Sequence, residues 1–473
     1  MNCVELFSKR ANAAPKQMAL WLPSTGALPF DELLTLCRRA QSLCLSYGLQ
    51  AGDRVLFAGS LDSSLYALVL GIMGLGASVV LVEPWMPMEH IRHVVNLAQP
   101  KIFFAGTFGK LWGMRVAEIR KIPHWVSTGK VFRQSASAPF HIESVDGEAP
   151  GIITFTSGTT GKPKGVVRSQ RYLIDQHEVV SQSLAVDSLP GSDLCIFANL
   201  ALANLGSGRG SVIIPARWTE KVLAQVDALP ANLQPDSMAC GPAFLLELIR
   251  KNVRLAKMKS IHVGGALTDR WIFEESFNRW PEAHVTHTYG SSEAEPVALS
   301  DAKKSVALSR ERGFFQTLHL GQPISEITPA IEKDAAWVTG RHVSPAYLGN
   351  DSENLIHKRI DPQGRVWHCM GDRVEADAVG WWYMGRSSQS LADFKLEQAI
   401  YTYLQSSSSF VHRDAEGRLV LLGEKLDGKR AEIKANFPEI ESIFQLEIVR
   451  DRRHRARIDR AKSLKKGTQW KAP

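Results

Sequence analysis

The chain has 473 residues, 44% hydrophobic and 22% charged, which excludes a fibrous or disordered protein and is too long for one ordinary core, so two or more domains are expected. Its formal net charge of +8 is concentrated at the C-terminus, where residues 450–473 hold six Arg and four Lys against two Asp; the remainder is close to neutral, which argues against a general nucleic-acid-binding surface. Six cysteines (Cys3, Cys37, Cys44, Cys195, Cys240 and Cys369) lie without CxxC spacing, which fits a reduced, cytoplasmic setting and no zinc site.

Met1–Lys16 has no apolar h-region, so no signal peptide is expected. Helical apolar spacing covers Val4–Ala14 and Phe30–Tyr47, and Val55–Ala58 reads as a strand. The most apolar stretch, Leu65–Val82, is long enough to raise a membrane span. Gly71, Gly74 and Gly76 interrupt it, and it divides into a buried helix, Asp62–Leu75, and a buried strand, Ser78–Val82; no membrane span is expected. Ile91–Leu97 continues as helix with Pro100 past its end, and Ile102–Ala105 as strand. This alternation predicts an α/β domain with parallel-rich sheets flanked by helices.

Gly151–Phe155 is a β-branched and aromatic run that predicts a strand. It passes into Thr156-Ser157-Gly158-Thr159-Thr160-Gly161, which has no apolar anchor, and after Lys162-Pro163-Lys164-Gly165 the chain returns with Val166-Val167. Glycines allow close backbone approach, successive N–H groups can form an anion nest, and the hydroxyls and two ammonium groups add further donors. The chemistry suits a polyphosphate. It is not a Walker A loop, because Gly161-Lys162 is followed by Pro163 rather than Ser or Thr.

Beyond it, Gln170–Leu184 predicts a helix, Leu194–Leu200 a strand, and the small-residue segment Ala201–Gly210 either a closely packed helix or a tunnel wall. Val212–Pro215 and Ser260–Val263 read as strands, and Lys221–Ala228 and Phe244–Arg250 as helices. Gly264-Gly265-Ala266 follows one strand, and Tyr289-Gly290-Ser291-Ser292-Glu293 follows another, Val285–Thr288. Glycine turns at strand C-termini are where open α/β sheets bind ligands, although the pentapeptide alone is equally an ordinary solvated loop. Short strands then flank turns at Gly371-Asp372 and Gly385-Arg386, the pair Trp381-Trp382 fills a sheet interface, and His368-Cys369 reads as core or rim rather than a metal pair. Ser387–Ser390 marks a domain boundary, dividing residues 1–386 from a small α+β domain at 387–473 with the basic tail.

The ordered set Thr156–Lys164, Gly264–Ala266, Tyr289–Glu293, Gly371-Asp372, Gly385-Arg386 and basic tail resembles the AMP-forming, acid-activating superfamily: acyl-CoA synthetases, peptide-synthetase adenylation domains and luciferases. The resemblance covers essentially the whole chain and implies ATP and Mg²⁺ as cofactors and a large core with a mobile lid. It implies that Thr156, Ser157, Thr159, Thr160 and Lys164, with Gly158 and Gly161 between them, hold the β- and γ-phosphates. Gly264, Gly265 and Ala266 would line the adenine and acyl pockets, and Tyr289, beside Gly290, would stack on adenine. Ser292 and Glu293 would sit at the α-phosphate, with Glu293 on the metal; Asp372 would bind the ribose hydroxyls, and Arg386 the ribose or phosphate.

Val80–Pro84, Phe197–Gly208, Tyr289–Val297 and Asp451–Asp459 are similar to the β-lactone synthetases of long-chain olefin biosynthesis, which activate a β-hydroxy acid and cyclise it. Two positions depart from the superfamily pattern. Arg457 stands where a tail lysine reaches the α-phosphate, with Lys462, Lys465 and Lys466 as substitutes, and an arginine is not equivalent to a lysine. The Gly-containing loop that normally follows Gly-Arg, and lines a thiol's path in CoA ligases, is missing between Arg386 and Glu397. The expected partners are a carboxylic acid and an acyl or peptidyl carrier protein. An acyl-CoA or carrier-protein ligase and a catalytically impaired binding or scaffold homologue stand as alternatives. The basic tail reads as lid rather than nucleic-acid contact.

Overall fold

The computed structural model describes residues 1–83, 86–136, 138–156, 162–184, 189, 191–215, 217–349, 351–451 and 455–467. Two sheets organise the core. One has six strands in the order His124–Ser127, Ile102–Ala105, Arg54–Ala58, Ser78–Leu81, Pro150–Thr156, Lys164–Ser169, parallel except for the last pair. The second, 14-stranded, is parallel from Met18–Leu22 through Ser211–Ile213, Ser192–Cys195, Pro235–Cys240 and Ser260–Val263 to His284–Ser291. It then turns antiparallel through Ala294–Asp301, His319–Pro323, Gly380–Arg386, Val366–Asp377, Ala335–Thr339 and Thr328–Glu332. The expected α/β core with parallel-rich sheets is what the chain forms.

The apolar stretch folds as foreseen. Helix Ser63–Gly74 is buried along its whole length and capped by Asp62, whose carboxylate accepts from the Ser64 amide. An all-round apolar helix belongs inside a core when sheets and helices surround it; among the described residues no helix is long and apolar enough to cross a membrane.

Four local expectations are corrected. The strand at 194–200 ends at Cys195, and a helix, Ala198–Ser207, already begins within it; its run of Ala and Leu favours helix over strand. The strand before Ser292-Glu293 runs on through Tyr289 and Gly290 to Ser291. Gly371-Asp372 and Gly385-Arg386 are not turns. Both lie inside strands, and Asp372 and Arg386 face each other in register. Gly371 and Gly385, at φ +68° and +96°, absorb an irregularity in the ladder without reversing the chain. Trp381 and Trp382 point to opposite faces of the sheet, one packed with Tyr289 and Met370, the other with Leu318 and Phe394, as the two-residue period of a strand requires.

The C-terminal part is a small α+β lid. Strands Ser409–Arg413, Leu419–Gly423 and Ser442–Gln445 pack with helix Leu391–Leu404 around Ile400, Val411, Leu421, Ile433 and Ile443. It rests on the core through Phe394, edge-on to Tyr383 at 5.7 Å, and through Gln398, which donates to Gln316 at 3.0 Å.

Candidate active site

The elements above bring their C-terminal strand ends to one cavity of about 2810 Å³ between core and lid. Thr156, Lys164, Gly264, Gly265, Ala266, Tyr289, Gly290, Ser292, Glu293, Asp372, Arg386 and Arg457 all line it. Ser157, Gly158, Thr159, Thr160 and Gly161 lie outside the described residues.

The hairpin that carries the hydroxyl-rich loop pairs Thr156 with Lys164 at its base. Lys164 is buried and forms an ion pair with Glu353 at 2.5 Å, its ammonium 5.5 Å from the centre of the Tyr347 ring. Arg168 straps the hairpin to the rest of the site by donating to the Thr154 hydroxyl and, at 3.0 Å, to the Ser292 carbonyl.

Across the cavity the Tyr289 hydroxyl donates to Asp372 Oδ2 at 2.8 Å, and Arg386 pairs with Asp372 Oδ1 at 2.9 Å. Burial and then the neighbouring carboxylate push the Tyr289 phenol far above its ordinary range, so it stays a proton donor. Gly264 needs to be glycine for close packing, because a Cβ there would lie 2.7 Å from the Thr288 carbonyl; Gly265 has φ +83°, in the left-handed region that favours glycine.

Glu293 accepts a hydrogen bond from the Tyr347 hydroxyl at 2.8 Å, with His368 Nε2 4.0 Å from its other oxygen. Burial opposes its charge, but His368 in its protonated form and the Lys358 ammonium, together with the Tyr347 bond, outweigh that and hold its carboxyl down to about 2; burial keeps the His368 imidazole itself neutral down to about pH 3. Lys358, pushed down to about 7 by burial, donates to the Ser344 carbonyl at 2.5 Å. Tyr347, Glu353, Lys358 and Arg168 were missed in the sequence. The first three lie on either side of Gly349 in a polar segment, and nothing in their local pattern separates them from a solvated face.

From the lid, Arg457 enters the cavity and donates through Nη2 to the Gly265 carbonyl at 2.6 Å. Desolvation, then Arg386 beside it, lower its pKa. Lys462 and Lys466 instead pair with Asp459 and Glu447 on the lid itself. Two strand-end glycines, an ionised glutamate, a tyrosine–aspartate–arginine group and a tail cation thus surround one volume. The model of the family described as "AMP-binding enzyme" matches residues 7–342.

The chain belongs to the AMP-binding enzyme family. It activates a carboxylic acid with ATP, forming an acyl-adenylate and releasing pyrophosphate. The enzyme is 24% identical over 439 residues to an olefin β-lactone synthetase of Stenotrophomonas maltophilia (strain K279a), covering 82% of this chain and 79% of that one. It is 23% identical over 398 residues to 4-coumarate–CoA ligase-like 9 of Arabidopsis thaliana, covering 78% and 69%. In fold it is similar to O-succinylbenzoate coenzyme A synthetase of Bacillus subtilis in complex with AMP, with a TM-score of 0.79, 16% identity and coverage of 94% and 95%.

Proposed function

We propose that this AMP-binding enzyme activates a β-hydroxy acid and lets the acid's own hydroxyl close on the activated carbonyl, giving a β-lactone. In the first step a carboxylate oxygen bonds to the α-phosphorus of ATP as the bond to the β-phosphate oxygen breaks, and pyrophosphate leaves with that electron pair. In the second step the hydroxyl oxygen bonds to the acyl carbon, its proton passes to solvent, and AMP leaves.

The protein's part is to position these groups and to meet developing charge with fixed positive groups. Thr156 and the loop after it cradle the β- and γ-phosphates, with Lys164 supplying charge at the loop's base. Tyr289 packs against the adenine, Asp372 takes the ribose hydroxyls, and Arg386 and Arg457 face the α-phosphate. Glu293, buried and ionised, suits Mg²⁺, which in nucleotide sites is held by one or two carboxylates plus substrate phosphates; the ion would neutralise phosphate charge. Residues 1–386 act as the core and 387–473 as a lid hinged at Ser387–Gln389. The acid's chain runs between one face of helix Gln170–Leu184, presenting Leu173, His177, Val180 and Leu184, and helix Ala198–Ser207, presenting Leu202, Ala203 and Gly206.

The observation that carries the internal acceptor is the start of helix Leu391–Leu404. Ser390 caps it by accepting from the Asp393 amide, so only Ser387–Ser390 separate the helix from Arg386 and no glycine loop is available to line a thiol's path. A thioester on CoA or a carrier protein is the second reading, favoured by the Arabidopsis relative and by a D-alanine–D-alanyl carrier protein ligase of Staphylococcus aureus, 23% identical over 395 residues. The test is turnover with ATP, Mg²⁺ and a panel of plain and 3-hydroxy carboxylic acids, with and without CoA. The expected result is pyrophosphate and AMP without CoA, and a product lighter than the 3-hydroxy acid by one water. A product formed only with CoA overturns the lactone; no pyrophosphate with any acid overturns the activation itself.

A further inference from the structure

In the basic tail, residues 450–451 pair with 457–458 to form the base of a finger. Arg450 and Ile458 bridge its base, Asp451 and Arg457 are joined by a backbone bond at 2.9 Å, and the Asp451 carboxylate accepts from the Arg457 amide at 3.0 Å. Behind it Arg460 is tied to the buried Glu397 at 2.8 Å. Among the described residues of the finger, Arg455 and Arg457 reach the core. Arg457 makes the bond to Gly265 already described. Arg455 lays its guanidinium over the Trp218 ring, 4.2 Å from its centre.

Trp218 is a fixed platform. It precedes helix Glu220–Asp227 and is braced by Phe244, edge-on at 5.0 Å, and Phe244 is fully buried. Indole is the best aromatic partner for a cation, and arginine stacks on it as a plane. Arg455 itself has φ +54°, a left-handed conformation in which Gly or Asn is at ease and a long side chain is uncommon. The bond from Arg457 to Gly265 and the stack of Arg455 on Trp218 attach the finger to the core at two points, and two points fix its direction where one would not.

We propose that Arg455, stacked on Trp218, is a positioning residue that seats Arg457 in the nucleotide site for adenylate formation. It acts through Arg457 and touches neither ATP nor acid. This rests on the reading that Arg457 serves the α-phosphate.

The test compares Arg455→Ala, Arg455→Lys, Trp218→Phe, Trp218→Leu, Arg457→Ala and the double Arg455→Ala/Arg457→Ala in the full chain. Pyrophosphate release with the best acid is read alongside amide hydrogen exchange of residues 455–467. A partly exposed cation–aromatic contact that sets the seated fraction is expected to lower kcat roughly five- to twenty-fold in Arg455→Ala and Trp218→Leu, with the KM for ATP within about two-fold. Arg455→Lys and Trp218→Phe should regain part of the rate. In the Arg457→Ala background Arg455→Ala should add no further loss, and exchange at 455–460 should rise in Arg455→Ala and Trp218→Leu. Wild-type rate and exchange in those two variants overturn the proposal, as does an undiminished effect of Arg455→Ala without Arg457. Unchanged turnover in Arg457→Ala, or no pyrophosphate from the wild type, sinks the underlying reading instead; the exchange data then decide by themselves whether the stack seats the finger.

Discussion

Asp372 and Arg386 sit opposite one another on neighbouring antiparallel strands, and their side chains pair at 2.9 Å while Tyr289 donates to the other carboxylate oxygen at 2.8 Å. Replacing Asp372 by Asn removes the charge that Arg386 faces and the acceptor proposed for the ribose. Losing a charged hydrogen bond of this kind is worth about 2 kcal/mol, or roughly 30-fold. Asp372→Asn is therefore expected to weaken ATP binding by about that factor in calorimetry with the fold retained. Unchanged affinity would remove Asp372 from the nucleotide site.

Lys164 and Glu353 pose a separable question, because their ion pair is structural by geometry while Lys164 also stands at the base of the phosphate loop. Lys164→Met removes the ammonium from the buried Glu353 carboxylate, which keeps His357 Nε2 at 3.3 Å, and should cost up to about 3–5 kcal/mol of stability. The double variant Lys164→Met/Glu353→Leu should recover most of that stability in urea unfolding, since apolar replacements of a buried pair are often neutral. If Lys164 serves the phosphates, the double variant stays slow in pyrophosphate release. Recovery of both stability and rate would assign Lys164 to the fold alone.

How much of this was legible in the sequence depended on whether the signal was local. Glycine and hydroxyl punctuation drew attention to Thr156, Gly264 and the Tyr289–Glu293 segment, and all of these line one cavity, although the strand expected to stop at Thr288 runs on through Tyr289 to Ser291. The same punctuation misled at Gly371 and Gly385. A positive φ satisfied inside a strand reads like a turn until the partner strand is known. Glu353 and Lys358 gave no signal because their roles depend on packing partners, Lys164 and Glu293, that are far away in the chain. The helix at Ala198–Ser207 was half seen: its small residues suggested close packing or a tunnel wall, and it packs closely at Ala201, Leu205 and Gly206, while Leu202 and Ala203 line the cavity.

Glu293 predicts an acid limb. Its carboxyl is held at about 2 against an ordinary value of 4.5, so between these values the unfolded chain binds more protons than the native one. Its contribution is fully present above about pH 4.5 and is lost as the pH falls toward 2, on the order of 3 kcal/mol in all. Glu293→Gln, which keeps an acceptor for Tyr347, should flatten the stability profile in that window when unfolding is followed from pH 6 to pH 3. A profile parallel to the wild type would show that other carboxylates govern acid unfolding.

Arg457 decides whether the tail is catalytic. Removal of one preorganised donor from a transition state costs about 10²–10³ in rate. Arg457→Ala should lose that much in kcat with little change in the KM for ATP. Arg457→Lys keeps the charge but is a compact ammonium rather than a planar fork, and should fall between the two. An inactive wild type that gains turnover from Arg457→Lys would instead mark the natural protein as an impaired homologue.

The acid pocket can be tested at Gly206. A Cβ at this position would stand 3.3 Å from His177 Cε1 and 3.5 Å from Leu6 Cβ, so Gly206→Val fills the space between helix Val4–Ala13 and helix Gln170–Leu184. If the acyl chain runs between the helices at 170–184 and 198–207, the added volume blocks its far end. Long acids should then lose kcat/KM steeply while short ones keep it, and the loss should begin at a definite chain length. Filled apolar space typically separates neighbouring homologues by about 1–3 kcal/mol, or 10–200-fold. A uniform loss across all chain lengths would mean that the substitution disturbs helix packing, and that the chain leaves the site by another route.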